Sequence, residues 1–246
     1  MNVRGAHAGI SSPDTLLTPV RKRAVLVFAE NLGIDLARRR LPRAAERLLS
    51  GHGAAARLNG ADVHLFTTGG SAASAQPRVH AQTGATFSAR LENATATLRD
   101  LGYDEIVMIG RDCPQLCERD IRVAFAQLNR KRLVLGPDHR GGCYLIAFRA
   151  IDSALLEGIR WRQNTDCAQL RDRCAAADVS LLAVKQDLDS WADLRLLALG
   201  GDWAARIASR LVSFVSEFAQ ARGYFVDLAA GRVRVRGQMP PPALVG

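Results

Sequence analysis

Short apolar runs alternate with amphipathic stretches along most of this chain. The uninterrupted run at 24–28 and the apolar residues 106–109 within the stretch 105–109 are typical of strands that are buried on both faces. Between them, the stretch 87–101 repeats apolar residues at the spacing of a helix face. Strands that alternate with helices predict right-handed βαβ units. The expected fold is therefore α/β, a three-layer, mostly parallel sheet with helices on both faces.

The same pattern places the individual elements. It predicts strands at 24–28, 61–68, 105–109, 132–135, 142–148 and 179–184. It predicts helices at 36–49, 87–101, 118–129, 151–157, 165–177 and 190–199. Ligands of such sheets bind at the carboxyl ends of the strands. This rule directs attention to the loops 29–40, 110–116, 136–142 and 185–193.

The pattern also predicts three parts of the chain. Residues 1–21 lack periodicity and predict a flexible leader, while residues 22–200 form the sheet domain. Residues 201–246 predict a helix, a hairpin at 224–235 and a frayed Pro-rich tail. We expect the apolar stripe of this last helix to pack on the parent domain, and a homodimer through the same stripe is the alternative.

Composition narrows the class of protein. The 246 residues are 48% hydrophobic and 23% charged, which is usual for a globular domain. No apolar stretch is long enough to predict a membrane span or an export signal, so we expect a cytoplasmic protein without a membrane partner. The five cysteines then predict reduced thiols. The net charge of +9 is spread along the chain without a basic motif, so no nucleic-acid partner is expected.

The first candidate for chemistry follows the clearest buried strand. Gly110 and Pro114 flank Asp112, which places one carboxylate at a strand's carboxyl end. A Mg²⁺ ion needs few carboxylates if a diphosphate and water supply its other oxygen ligands. The alternative, equally open from the sequence, is that Asp112 caps the following turn.

The second candidate is the segment that enters the strand predicted at 142–148. Gly141 and Gly142 allow a ligand to approach the backbone closely, and Asp138 and Arg140 add polar side chains at the same edge. A plain tight turn between two strands would use the same two glycines. The two glycines suit either alternative equally well.

The third candidate lies near the C-terminal end of the predicted sheet domain in sequence, and the fourth lies near its N-terminal end. Asp187 and Asp189 follow the strand predicted at 179–184 and could complete a metal site with Asp112, although Asp189 or Ser190 also suits a helix N-cap. After the first strand, Gly33 and the arginines 38–40 suit phosphate binding. Neighbouring helical residues lie about 100° apart, so at most two of these arginines can face one ligand.

Together these segments resemble an uncharacterised bacterial family of glycosyltransferase-A-like proteins, often encoded beside radical-SAM genes. Molybdenum-cofactor and phospholactate guanylyltransferases are its relatives by fold. The resemblance rests on five motifs in the family's order, in the segments 24–41, 82–90, 110–116, 136–146 and 187–194. The third segment matches best, and the first matches worst because its spacing is altered.

The resemblance implies roles for individual residues. It makes Asp112 and Asp189 the ligands of Mg²⁺ or Mn²⁺, and Asp112, Asp138 and Arg140 the catalytic candidates. Nucleotide-binding residues implied by the motifs are Gly33, Arg38, Arg40, Arg90, Gly110, Gly141 and Gly142.

Some motif positions depart from the family. Arg140 stands where the family has Asp, Cys143 where it has Tyr, and Ser88 where it has Gly. The substitution at Arg140 reverses a charge, which should impair catalysis if that carboxylate acts as a base or positions an acceptor. Asp138 is the candidate for replacing the lost carboxylate.

The sequence therefore predicts a transferase that uses a nucleotide sugar, or a related nucleotidyltransferase. Its partner would be a nucleotide or nucleotide sugar bound with a divalent metal ion. The alternative is a descendant that keeps the sheet, has lost turnover and serves in binding or scaffolding.

Overall fold

The computed structural model describes residues 21–41, 43–49, 58–69, 78–221, 224–227 and 232–235. All but the last residue of the predicted leader lies outside these ranges, as do the Pro-rich tail and nearly all of the Gly- and Ser-rich loop at 69–77. None of the described helices is both long and apolar enough to cross a membrane.

Strands and helices alternate along most of the described chain. The strands are β1 Arg23–Ala29, β2 Asp62–Thr67, β3 Arg78–Ala81, β4 Glu105–Ile109, β5 Leu133–Pro137, β6 Cys143–Arg149, β7 Val179–Leu181, β8 Tyr224–Asp227 and β9 Arg232–Val235. The α-helices are α1 Leu32–Arg38, α2 Phe87–Asp100, α3 Glu118–Gln127, α4 Asp166–Arg171, α5 Trp191–Ala198 and α6 Trp203–Ala221. Short 3₁₀ helices cover Arg43–Leu48, Ala150–Leu156 and Ala176–Asp178.

Seven strands form one mixed sheet in the order β3-β2-β1-β4-β6-β5-β7. All neighbours are parallel except β6, which runs antiparallel to both β4 and β5. After β1 the chain continues to β2, which lies on one side of β1 in the strand order. After β4 it continues to β5 and β6, which lie on the other side of β4. The carboxyl ends of the neighbouring strands β1 and β4 therefore form the topological switch point, where ligands of such sheets bind.

The apolar run of β1 is continuous because helices cover both faces of the sheet. Ala24 and Leu26 pack on one face with Leu91 and Leu98 of α2. Val25 and Val27 point to the other face, where Ile121 and other residues of α3 cover them. Successive side chains of a strand alternate between its faces, so a strand between two helix layers needs apolar residues at every position. The predicted three-layer, mostly parallel α/β fold is confirmed.

A third apolar cluster joins the two ends of the described chain. Leu36 of α1 and Leu48 of the first 3₁₀ helix pack with Leu194 of α5 and with Ala204 and Ala208 of α6. The described part of the α6 stripe, Ile207 and Leu211, packs against the same cluster. This part of the stripe thus covers the parent domain, as the sequence led us to expect. The side chains of Trp203 and Phe218 are not among those described.

Several predicted boundaries are wrong. The helix predicted at 36–49 is two short helices, because α1 ends at Arg38 in a Schellman motif. In that motif Arg40 takes a positive φ of 55° and the Leu41 amide donates to the Leu36 carbonyl at 3.0 Å. The helix predicted at 165–177 keeps only α4 and a 3₁₀ turn, the segment at 151–157 is a 3₁₀ helix, and β3 was not predicted at all.

A buried hydrogen-bond network lies away from the carboxyl ends of the strands. His64 of β2 is fully buried, with Nδ1 2.9 Å from Nε2 of His80 and Nε2 2.9 Å from Oη of Tyr103. The Tyr103 hydroxyl donates to Asp62 at 2.5 Å and accepts from Arg78 at 2.7 Å. Because that hydroxyl gives its proton to Asp62, His64 Nε2 donates to it. Burial lowers the pKa of both His64 and His80, which favours their neutral forms, and a neutral His64 accepts from His80 at Nδ1.

This network predicts that the protein loses stability in mild acid. Burial, and then the charges of His80 and Arg78, lower the pKa of His64 to about 4 from an ordinary 6.5. Between these values the unfolded chain binds more protons than the folded one. The contribution of His64 to the free energy of unfolding is therefore complete above about pH 6.5, and it is lost as the pH falls towards 4. We expect His64 to account for a loss of about 2 kcal/mol between about pH 7.5 and about pH 5.

Urea unfolding at these two pH values measures the effect. The variant His64→Leu should show a smaller loss of unfolding free energy than the natural protein, because it has no imidazole to protonate there. His139→Gln is the matched control, since His139 is exposed. Equal losses in the natural protein and in His64→Leu would show that His64 does not govern this pH dependence.

Candidate functional site

The carboxyl ends of the strands carry a concentration of acidic and basic side chains. Asp112 follows β4, Asp138 follows β5, and Asp187 and Asp189 follow the short β7. A backbone hydrogen bond of 2.7 Å from the Leu188 amide to the Asp112 carbonyl joins two of these loops. Residues 76 positions apart in sequence thereby share one edge of the sheet.

Asp112 presents its carboxylate to this edge rather than capping a turn. Its Oδ2 accepts from Arg39 at 3.1 Å. The side chain folds back over Gly110, where an added Cβ would collide with Asp112 Oδ1. Glycine at position 110 is therefore a steric requirement for this orientation of the carboxylate.

Arg39 is the centre of the charged site. Its side chain is only 9% exposed, and its Nε donates to Asp35 at 2.8 Å while Nη2 donates to Asp112. Nη1 donates to the Leu188 carbonyl at 2.7 Å and to Asp189 Oδ1. Burial lowers the pKa of this guanidinium, but the facing carboxylates outweigh burial and hold its pKa above the ordinary value. One cation thus joins the loops that follow α1, β4 and β7.

Arg140 holds the other side of Asp189. Its Nη1 donates to Asp189 Oδ2 at 2.5 Å, and its Nη2 pairs with Asp193 Oδ1. The hydrogen bond to Asp193 raises the pKa of Arg140. Each oxygen of Asp189 therefore contacts one guanidinium. Ser190, not Asp189, caps α5 by accepting from the Asp193 amide at 3.3 Å.

Asp138 shapes the glycine turn that leads into β6. Its Oδ1 accepts from the amides of Arg140 at 2.6 Å and Gly142 at 3.1 Å. A Cβ at Gly142 would collide with Asp138 Oδ2, and one at Gly141, which has φ of 102°, would collide with the Asn164 carbonyl oxygen. The two glycines therefore form a tight turn that lies at the carboxyl-end edge of the sheet. Both interpretations of the second candidate segment thus apply.

Asp187 adds a buried carboxyl group beside Asp112 and Asp138. Burial, followed by the charges of those two carboxylates, raises its pKa well above the ordinary value. Its Oδ1 is buried and has no hydrogen-bond partner among the described residues. Arg111 is also buried, and burial lowers its pKa. This edge therefore holds buried polar atoms that have no hydrogen-bond partner among the described residues.

An open cavity of about 450 Å³ lies against these groups. One wall is charged and includes Arg38, Arg39, Asp112 and Asp189. Another part of the lining is aromatic: Phe87 packs edge-on to Phe28 with ring centres 5.4 Å apart and lies 6.1 Å from the ring of Trp161. Such a cavity can hold a ligand with an anionic end and a flat apolar end.

The predicted site residues fall into two groups. Those that line the cavity are Arg38, Arg90, Gly110, Asp112, Asp138, Gly142 and Asp189. Four others do not line it: Arg140 and Gly141 support the wall from behind, whereas Gly33 and Arg40 are exposed on the loop and helix after β1. The sequence reasoning missed Arg39 and the aromatic wall. Arg39 belongs to the arginine cluster 38–40, which the sequence indicated as a phosphate contact. Which of these arginines turns inward depends on the residue at which α1 ends.

Whether the residues fit a divalent metal depends on Arg39. Asp112 and Asp189 converge on its guanidinium, so a cation already stands between the two predicted ligands. The described residues contain no ready-made group of three His, Cys, Asp or Glu side chains around one point. Mg²⁺ and Mn²⁺ can bind through one or two carboxylates when phosphate oxygens and water complete the shell. The carboxylates fit such an ion if Arg39 turns away.

Residues 48–163 match a family described as "Uncharacterized protein conserved in bacteria (DUF2064)". A candidate nucleotide-diphospho-sugar transferase from Desulfovibrio desulfuricans G20 is 23% identical, with a TM-score of 0.66 over 82% of this chain and 98% of that one. Rv0371c from Mycobacterium tuberculosis H37Rv, solved with manganese, is 19% identical, with a TM-score of 0.51 over 71% and 97%. These similarities establish the fold. No curated protein matches the sequence.

Proposed function

We propose that this protein, whose residues 48–163 match the bacterial family DUF2064, binds a nucleotide or nucleotide sugar in the cavity and transfers its sugar or nucleotidyl group. The observation that carries the proposal is the convergence of Asp112 and Asp189, from two different strand ends, on one cation position beside the cavity. The fold shared with a candidate nucleotide-diphospho-sugar transferase supports it.

Asp112 and Asp189 would hold Mg²⁺ or Mn²⁺ together with the diphosphate of the donor. When bound, the ion would neutralise the charge that develops on the leaving phosphate. The manganese complex of Rv0371c, which has the same fold, supports the choice of metal. Arg39 would leave the two carboxylates and turn to the phosphates, where a guanidinium binds oxygen pairs in a fork.

Other residues of the cavity would bind and orient the donor. Arg38 and Arg90 lie in its lining and would contact phosphates, while Gly110 and Gly142 leave room for the carboxylates of Asp112 and Asp138 at its edge. Phe87 and Trp161 offer faces on which a nucleobase or an apolar acceptor could stack. Arg140 would act as a positioning residue, because its contacts are to Asp189 and Asp193. A catalytic role for Asp138, a homodimer and a cytoplasmic location stay predictions.

Thermal unfolding with a panel of nucleoside triphosphates and nucleoside diphosphate sugars tests this proposal. A ligand that binds only the folded protein stabilises it by about 2.7 kcal/mol at a concentration of about 100 Kd. We expect one nucleotide class to raise the Tm in the presence of Mn²⁺ and to lose this effect in EDTA. The Asp112→Ala variant should lose the effect as well, because it lacks one of the two metal ligands.

Asp100→Ala is the matched control. Asp100 is an exposed carboxylate at the end of α2 whose only ion pair among the described residues is with its neighbour Arg99. This variant should respond to nucleotide as the natural protein does. An equal rise in the Tm of Asp112→Ala, or a rise that EDTA leaves unchanged, would refute the metal-dependent site.

A specific observation favours a second function, that of a non-catalytic binding protein. Arg39 and Arg140 already neutralise both oxygens of Asp189, so the site is satisfied without a metal. This reading predicts a folded protein with no response to any nucleotide in Mn²⁺. Donor-dependent turnover that disappears in Asp189→Ala would exclude it.

A further inference from the structure

Two cysteines meet at the wall of the cavity. Cys143 is the first residue of β6 and lines the cavity directly after the glycine turn. Cys167 is the second residue of α4. Both side chains are partly buried and pack against the same apolar cluster. Residues from two separate elements are thus neighbours at a place that the cavity leaves open.

The backbone holds these two cysteines together. The Cys167 amide donates to the Gly141 carbonyl at 3.2 Å, which ties the start of α4 to the turn before Cys143. The two thiols lie near enough to shift each other's pKa, and both pack against the same apolar cluster. Disulfide formation needs neighbouring sulfur atoms on backbones that are already close. The backbone hydrogen bond and the shared packing bring the two cysteines together.

Cys167 is the better placed of the two thiols to attack. Cys143 lowers the pKa of Cys167, and the nearby Arg171 lowers it further. Cys167 and burial raise the pKa of Cys143. Cys113 provides the contrast, because burial raises its pKa and it has no thiol partner among the described residues. Arg171 follows Cys167 on the same helix and its positive charge favours the attacking thiolate, so we assign Cys167 as the nucleophile of the pair.

We propose that Cys143 and Cys167 form a reversible disulfide by exchange with a low-molecular-weight disulfide such as glutathione disulfide. The Cys167 thiolate attacks one glutathione sulfur, forms a mixed disulfide and releases one glutathione thiol. Cys143, after losing its proton to solvent, then attacks Cys167 Sγ and releases the second glutathione thiol. Two protein thiols are oxidised, and one glutathione disulfide is reduced to two thiols.

This bond would fix α4 to β6 across the cavity wall. The segment between them includes Arg162 and Asn164, which line the cavity and hold positive φ values of 64° and 58°. A reduced pair leaves this strained segment to hydrogen bonds alone, whereas the disulfide anchors its end. In a reducing compartment, such a bond forms only under oxidation. The site is thus a modification site that is independent of nucleotide transfer.

Incubation of the folded protein with glutathione disulfide tests the proposal. All variants should carry Cys117→Ser, because Cys117 is exposed and would react by itself, and serine is a good residue at the N-cap that Cys117 occupies. Four of the five cysteines then remain. The thiols titrated after denaturation should fall from four to two, and peptide mapping should find the Cys143–Cys167 link.

Single variants separate the two roles. Cys143→Ser should stop at the mixed disulfide and retain glutathione on Cys167, while Cys167→Ser should keep its thiols and gain no glutathione. Cys174→Ser, which removes another partly buried thiol, should still form the link. Circular dichroism of each variant checks that it is folded. Retention of all four thiols in the folded parent, or loss of two thiols to a disulfide in Cys167→Ser, would overturn the proposal.

Discussion

Replacing Arg39 by methionine should destabilise the metal-free protein by about 3 kcal/mol, because removal of one partner from a buried ion-pair network leaves charges without compensation. Arg39 contacts three carboxylates, and in two of them, Asp112 and Asp189, the oxygens that it holds have no other cation among the described residues. Asp35 keeps Arg38 as a partner. The loss should therefore come from the loops that follow β4 and β7.

The same substitution should make the protein respond to metal. With the guanidinium gone, Asp112 and Asp189 face an empty cation position, so saturating Mn²⁺ should restore much of the lost stability. In the natural protein without nucleotide, Arg39 competes for this position and the effect of Mn²⁺ should be small. Thermal unfolding with and without Mn²⁺, and titration calorimetry of the ion, measure the difference.

Arg40→Met is the matched control for this experiment. Arg40 is the next residue in the chain, but it is exposed and does not line the cavity. It should keep the stability of the natural protein and show no new response to Mn²⁺. If Arg39→Met is as insensitive to Mn²⁺ as Arg40→Met, the two carboxylates do not form a cation site.

Replacing Gly141 by alanine should cost about 3 kcal/mol of unfolding free energy. Gly141 holds φ at 102°, which side chains of L-residues rarely adopt, and an added Cβ would collide with the Asn164 carbonyl oxygen. Backbone cannot yield as a flexible side chain can, so the turn must shift. Because Asp138 caps this turn, we also expect weaker nucleotide binding.

Urea unfolding measures the loss, and Gly201→Ala provides the control. Gly201 has no atom within 4 Å of an added Cβ and no positive φ. Its substitution should change stability little. An equally small change for Gly141→Ala would mean that the contact between the turn and Asn164 does not constrain the fold.

The central strands were predictable because burial on both faces leaves a direct trace in sequence. β1 and β4 carry apolar residues at every position between their ends, and no helix period fits such short runs. β3 left no such trace: it is four residues long, lies at the sheet edge and contains Arg78 and His80. Edge strands contact the core with few side chains, so tertiary pairing rather than composition defines them.

Helix ends were harder to predict because local backbone geometry decides them. The apolar spacing of 36–49 indicates one helix, but Arg40 adopts a positive φ that usually favours glycine and stops α1. The stop has a functional consequence: Arg39 follows the last helical residue and contacts Asp35 of α1 and the loops that follow β4 and β7. Which of three adjacent arginines would enter the site could not be predicted from spacing alone.

The sequence by itself determined the α/β class, the strands that form the sheet centre and the edge at which its charged loops meet. It could do so because the spacing of apolar residues and the order of the elements are properties of the chain itself. They can be read without knowing any contact between distant residues. The tertiary structure alone decided that Arg39 and Arg140 neutralise Asp189, that Asp187 is buried, and that Cys143 meets Cys167. These are contacts between residues far apart in sequence, and their geometry and electrostatics exist only once the sheet has brought the loops together.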